Sequence, residues 1–185
     1  RLTLKPGQIC FITGPAGSGK TLLLNALYEY IDPADRICPA DLPLQSETAV
    51  IDSIPSEPDG TLNGWKILTQ FGLGDDFTML NRPSSLSAGQ QSQYQLACAL
   101  MSGRQWIFAD DFTASLDRVS ACAAAYHLRK LVRQMNLICV LASCHEDILG
   151  DLRPDVLVIQ SANRTSRVLD IDTPSCSGSL MITGG

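Results

Sequence analysis

An α/β fold, with a mostly parallel sheet flanked by helices, is predicted by the order of apolar runs in this 185-residue chain. Two observations predict it. A short apolar run at residues 8–13 (QICFIT) enters a glycine-rich turn and then TLLLNALYEY, whose leucines recur at helical spacing, so the segment reads as strand, loop, helix. Further apolar runs, WIFAD (106–110), LICVLAS (137–143) and DVLVIQ (155–160), alternate with helical patterns. Strands separated by helices make a parallel sheet buried on both faces.

The remaining segments follow from local chemistry. Between residues 31 and 60, Pro33, Pro39, Pro43, Pro55 and Pro58 predict loops, with at most one short strand at 49–52. Leu62, Trp65, Leu68 and Phe71 space a helix that Gly72 and Gly74 end. Ser87 caps a further helix, with Gln90 and Gln91 in its first turn and Leu96, Ala97 and Leu100 as its buried stripe, before Gly103. The alanine-rich stretch 117–135 is also helical. Beyond Gln160 the polar run SANRTSR, the short VLDID and SCSGSLMITGG predict a hairpin at most and then a frayed tail.

Composition narrows the class. An apolar fraction of 45% and a charged fraction of 18% are those of an ordinary globular protein with one core. No apolar run reaches the length of a bilayer span. The formal net charge of −5 gives no general attraction for nucleic-acid phosphate or an anionic membrane, so direct binding to either is not expected. Seven cysteines are scattered, mostly among apolar neighbours, without a C-x-x-C pair or a secretory signal. They read as small, reduced core residues of a cytoplasmic protein, with a metal or disulfide set as the alternative. Arg1, directly before strand-like sequence, points to further chain upstream.

Residues 14–21 (GPAGSGKT) fit G-x-x-x-x-G-K-[ST], directly after a strand and opening a helix, the context in which this pattern is a phosphate loop. Gly14, Pro15, Ala16, Gly17, Ser18 and Gly19 form a turn whose N–H groups, with the following helix N-terminus, suit phosphate oxygens. Lys20 is placed to reach the β and γ phosphates, and Thr21 to hold Mg2+. A plain glycine-rich connector is the alternative. The pattern alone does not choose among ATPases, GTPases and kinases.

Four later elements do choose. Leu86-Ser87-Ala88-Gly89-Gln90 resembles the L-S-G-G-Q signature of ABC ATPases, with Ala88 in place of the first glycine; read alone, it is a serine-capped helix start. WIFAD resembles a Walker B strand whose Asp110 supports Mg2+, and Asp111 follows at once. ASLD (114–117) resembles the D-loop, and His145 sits where the family places its switch histidine. Singly, these are a buried strand with a terminal acid, a helix cap at Asp117 and an exposed turn histidine. In family order behind a phosphate loop, they resemble an ABC-type ATPase, a P-loop NTPase.

That resemblance implies ATP and Mg2+ as cofactors, ADP and phosphate as products, and catalytic roles for Lys20, Asp111 and His145. It implies nucleotide contacts from residues 14–21, from Ser87, Ala88, Gly89 and Gln90, and from Asp117. It further implies a homodimer in which ATP lies between the phosphate loop of one copy and the signature of the other. Residues 1–160 then form the ATPase domain, with a helical arm at about 61–103, and 161–185 a C-terminal extension. The phrases RPSSLSAGQQSQYQLACAL, FADDFTASLDRVSA, YHLRKLVR and CHEDILGDLRPDVLV are also similar to small ABC ATPases fused to a predicted acetyltransferase domain, which would lie outside this sequence.

Three departures matter. Asp111 stands where the family usually has a glutamate, and moving a carboxylate by about 1 Å can cost on the order of 100-fold in rate, so slow hydrolysis is expected. The stretch from Lys20 to Ser87 is short for a transporter's nucleotide-binding domain, which abbreviates the arm and favours other effectors over a membrane partner. Gln45 is the one glutamine available as a Mg2+- and water-facing loop residue, and a loop glutamine without a role is the alternative.

Overall fold

Ile9–Thr13, a strand buried at all five positions, forms β1 and leads through the glycine-rich turn into helix α1 at Lys20–Tyr30. The computed structural model of the chain describes residues 3–44, 47–55, 58–163, 165–171 and 180–182. Downstream lie β2 (Arg36–Ile37), α2 (Pro58–Gln70), α3 (Asp76–Leu80) and α4 (Ala88–Met101). Then come β3 (Trp106–Asp110), α5 (Arg118–Gln134), β4 (Ile138–Ala142) and α6 (Leu149–Leu152). The last strands are β5 (Val156–Gln160), β6 (Ser166–Asp170) and β7 (Leu180–Ile182).

Among the described residues the sheet runs β2-β3-β4-β1-β5-β6-β7. The first five strands are parallel, and β6 and β7 add on antiparallel. Because successive side chains of a strand point to opposite faces, Ile9 and Phe11 of β1 join the cluster with α4 and α5, whereas Cys10 and Ile12 pack toward Leu24 of α1. Both faces are therefore covered, as the unbroken apolar runs require.

The proline-rich region differs from expectation. Residues 50–53 form a 3-10 turn rather than a strand, because the Asp52 carboxylate accepts the Ala49 N–H at 2.9 Å and the Ser53 hydroxyl donates to the Val50 carbonyl. Within the stretch expected to be loops, two residues make strand β2, which Arg36 anchors by lying 4.0 Å over the Tyr28 ring and pairing with Glu29. Helix α3 was also unforeseen; Asp75 caps it by accepting the Thr78 N–H at 2.9 Å. At the C-terminus β6 pairs antiparallel with β5, and β7 with β6. Gln45, Cys176 and residues 172–179 and 183–185 lie outside the described residues.

The cysteines divide. Cys10 and Cys139 are buried, and burial pushes the Cys10 thiol up to about 12 and Cys139 upward as well. Cys38, Cys98 and Cys122 are half-buried. Cys144 is exposed, contrary to its reading as a core residue, because it falls on the loop leaving β4.

Asp155 locks the end of the sheet opposite the phosphate loop. It is 3% exposed, accepts the Ile9 N–H at 2.7 Å and pairs with Arg133 of α5 at 3.3 Å. Asp155→Ala leaves a buried N–H and a guanidinium without their acceptor, and a loss of about 3 kcal/mol is expected in urea unfolding. A midpoint matching wild type would show that this junction is not a stability anchor.

Candidate nucleotide site

The phosphate loop is shaped by a close approach. Gly14 has φ +147°, and a Cβ on it would sit 2.1 Å from the Gln160 carbonyl oxygen, so no side chain fits there. Gly19, at φ 95°, ends the loop and begins α1. Lys20 is nearly buried, and its Nζ donates to the Gly14 and Pro15 carbonyls at 2.9 and 3.0 Å. Its ammonium therefore rests on the loop itself. The Ser18 hydroxyl is buried and has no hydrogen-bond partner among the described residues, an uncommon state that a polar ligand would relieve.

Walker B reaches the same point. Thr21 Oγ1 donates to Asp110 Oδ2 at 2.6 Å, joining the first turn of α1 to the end of β3. One hydroxyl and one carboxylate, open to further oxygens from phosphate and water, suit Mg2+, which keeps much of its water. Among the described residues there is no cage of three or more His, Cys, Asp or Glu, so these residues are the protein's offer to such an ion. The loop, the lysine and this pair fit ATP with Mg2+.

Asp111 is exposed and holds φ 43°, a left-handed conformation in which Asp and Asn are the most tolerated side chains after Gly. Its N–H donates to the Ala142 carbonyl at 2.8 Å, which fixes the turn. His145 lies on the loop after β4, its N–H on the Ser143 hydroxyl at 3.1 Å. The next residue, Glu146, accepts from the buried Thr13 hydroxyl at 3.0 Å, and the Ser143 N–H bonds to the Ile12 carbonyl. This tether from the His145 loop to the phosphate-loop strand has one signal in the sequence, the acidic residue beside the histidine, and that alone does not reveal its partner.

The signature gathers elsewhere. Ser87 and Gln90 exchange bonds as a capping box, Gln90 N–H to Ser87 Oγ at 3.3 Å and Ser87 N–H to Gln90 Oε1 at 3.0 Å. A Cβ on Gly89 would meet the Ser115 carbonyl oxygen at 2.9 Å, so glycine lets the signature press on the segment carrying Asp117. Ser87, Ala88, Gly89, Gln90, Ser115 and Asp117 line one open cavity, in which no phosphate-loop residue takes part.

Asp117 caps α5, accepting the Val119 and Ser120 N–H groups at 3.0 Å and the Ser120 hydroxyl at 2.6 Å. The Ser120 hydroxyl first, then the backbone N–H groups, hold its carboxyl below the usual range. A depressed folded value means that the cap stabilises above the unfolded carboxylate value and loses that as pH falls through the folded one. Wild type should therefore unfold at higher temperature than Asp117→Ala at neutral pH, with the gap closing in acid. A gap independent of pH would remove the charge from this account.

A glycine-rich loop between a central parallel strand and a helix, with a Thr–Asp pair at its mouth, defines a P-loop NTPase. The pattern of the ABC transporter family matches residues 1–114, and the chain belongs to that family. It is 29% identical over 214 aligned positions to the macrolide export ATP-binding/permease protein MacB of Marinobacter nauticus, covering 97% of this chain and 31% of MacB. It is 27% identical to the lipoprotein-releasing system ATP-binding protein LolD of Maricaulis maris, over 80% of this chain and 79% of LolD. Its fold is that of a dimeric bacterial ABC transporter cassette, MJ0796, with a TM-score of 0.72 at 20% identity, over 93% of this chain and 89% of that one. The chain is thus an ATP-binding cassette that uses ATP with Mg2+, and it spans about a third of MacB's length. Among the described residues no helix is long and apolar enough to cross a membrane.

Proposed function

We propose that this cassette binds ATP at residues 14–21, closes head to tail with a second copy, and hydrolyses ATP slowly to drive a partner or fused domain. The observation that carries the reading is the Thr21–Asp110 contact at the mouth of the phosphate loop, with Asp111 following directly. Lys20 neutralises phosphate charge, Asp111 orients the attacking water, and His145 completes the site from the tethered loop. When bound, Mg2+ supplies Lewis-acid charge at the phosphate oxygens. Separation of the signature cavity from the phosphate loop within one chain supports a site completed by two copies. Ser87, Ala88, Gly89 and Gln90 of one copy, with Asp117, then meet the nucleotide of the other.

The division into an ATPase domain at 1–160, an arm at about 61–103 and an extension at 161–185 belongs to this proposal, as does a cytoplasmic location. So does the assignment of Gln45 to Mg2+. For the effector, MacB and LolD carry transport names, so a membrane permease is the partner those relatives suggest despite the short arm. A fused acetyltransferase rests on the sequence phrases alone.

A second reading, an ATP-dependent dimerising module with little turnover, is favoured by the short carboxylate of Asp111. Phosphate release separates the two. Wild type should exceed Asp111→Asn and His145→Ala by on the order of 100-fold for an enzyme, and equal them for a pure module. Molecular mass with and without ATP and Mg2+ tests the dimer, and a monomer in both conditions would remove it.

A further inference from the structure

Gln160 is a buried polar residue in an apolar place. It ends β5, whose inward positions Val156 and Val158 pack in the same cluster as Leu24, Cys10 and Ile12, and it is 6% exposed. Burying a carboxamide there costs free energy unless both ends of the group are used.

One end is used. In the β5–β6 register Gln160 faces Ser166, whose hydroxyl donates to Gln160 Oε1. The other end, Nε2, has two donors and makes no hydrogen bond among the described residues. Its position is informative, because it lies 3.7 Å from where a Cβ on Gly19 would be. The Gln160 carbonyl meanwhile sits against Gly14, and the Ser18 hydroxyl, unpartnered among the described residues, lies 3.1 Å from where a Cβ on Gly14 would be. Gln160 thus lies beside both ends of the phosphate loop, its carbonyl at Gly14 and its donor group near Gly19.

We infer that Gln160 is a positioning residue of the nucleotide site. Ser166 fixes the carboxamide beside the loop, where its N–H donors add positive partial charge beneath the curve of Gly14 to Gly19 that receives phosphate. Strand β6 is thereby coupled to the nucleotide. A mere space-filling role would make the donor a liability and nothing more.

The assignment rests on the ATP-binding reading above, and stability and affinity test it in opposite directions. Gln160→Leu keeps the volume and removes a donor that bonds to no described residue, so the melting temperature of the nucleotide-free chain should equal or exceed wild type. Its Kd for ATP with Mg2+, by isothermal titration calorimetry, should be about tenfold weaker, equivalent to about 1.4 kcal/mol. Gln160→Glu keeps the acceptor for Ser166 and puts a carboxylate under the loop, so affinity should fall further, with no comparable fall in melting temperature. Wild-type affinity in both variants would overturn the assignment. A melting temperature that falls together with affinity in Gln160→Leu would also overturn it in favour of a structural role. If wild type itself binds no ATP, the nucleotide reading fails and this inference with it.

Discussion

Lys20→Met should lower ATP turnover by about 100- to 1000-fold, the scale of removing one preorganised charge from a transferring group. Methionine keeps the length and apolar stem of the side chain and deletes only the ammonium, which here donates to the Gly14 and Pro15 carbonyls. Those two bonds hold the charge within the loop it serves, so nucleotide binding exchanges partners rather than recruiting a distant side chain. Preorganisation of this kind costs little reorganisation at the moment of reaction. The comparison needs phosphate release under saturating ATP, with circular dichroism to show that the variant folds. Turnover at the wild-type rate would remove Lys20 from the chemistry.

Asp111→Glu should act in two directions at once. Added reach should raise single-turnover hydrolysis by on the order of 10- to 100-fold, if the shorter carboxylate stands off from the water it must orient. Its backbone, however, is left-handed at φ 43° and pinned to the Ala142 carbonyl, and glutamate tolerates that conformation less well than aspartate, at a cost of about 1 kcal/mol. The expected variant is faster and less stable. No gain in rate would show that aspartate already has the right length, and the slow-hydrolysis account would be wrong.

Much of the scaffold was legible because its signals are local. The phosphate loop, the capping residues Ser87 and Asp117, and the runs forming β1, β3, β4 and β5 each occupy one short window with the right period. What escaped is defined by partners distant in sequence or by side-chain bonds. Strand β2 exists because Arg36 and Ile37 pair with Trp106 and Ile107, and nothing within a two-residue strand announces that. The 3-10 turn at 50–53 replaced a strand because Asp52 and Ser53 bond to backbone that a strand would leave to a neighbour. In the site, motif residues could be named from the sequence, whereas the Thr13–Glu146 tether and the place of Gln160 under the loop depend on which strands adjoin β1.

The brevity of β2 has a consequence for solubility. A five-strand parallel array rich in Ile, Val and Leu would make an adhesive template if it ended on a long bare strand, since unpaired backbone groups recruit strands from other molecules. Among the described residues this sheet ends on one side at two residues, one of them an arginine held against α1, and on the other at the three-residue β7. Among the described residues, neither border offers a foreign chain enough length to add to.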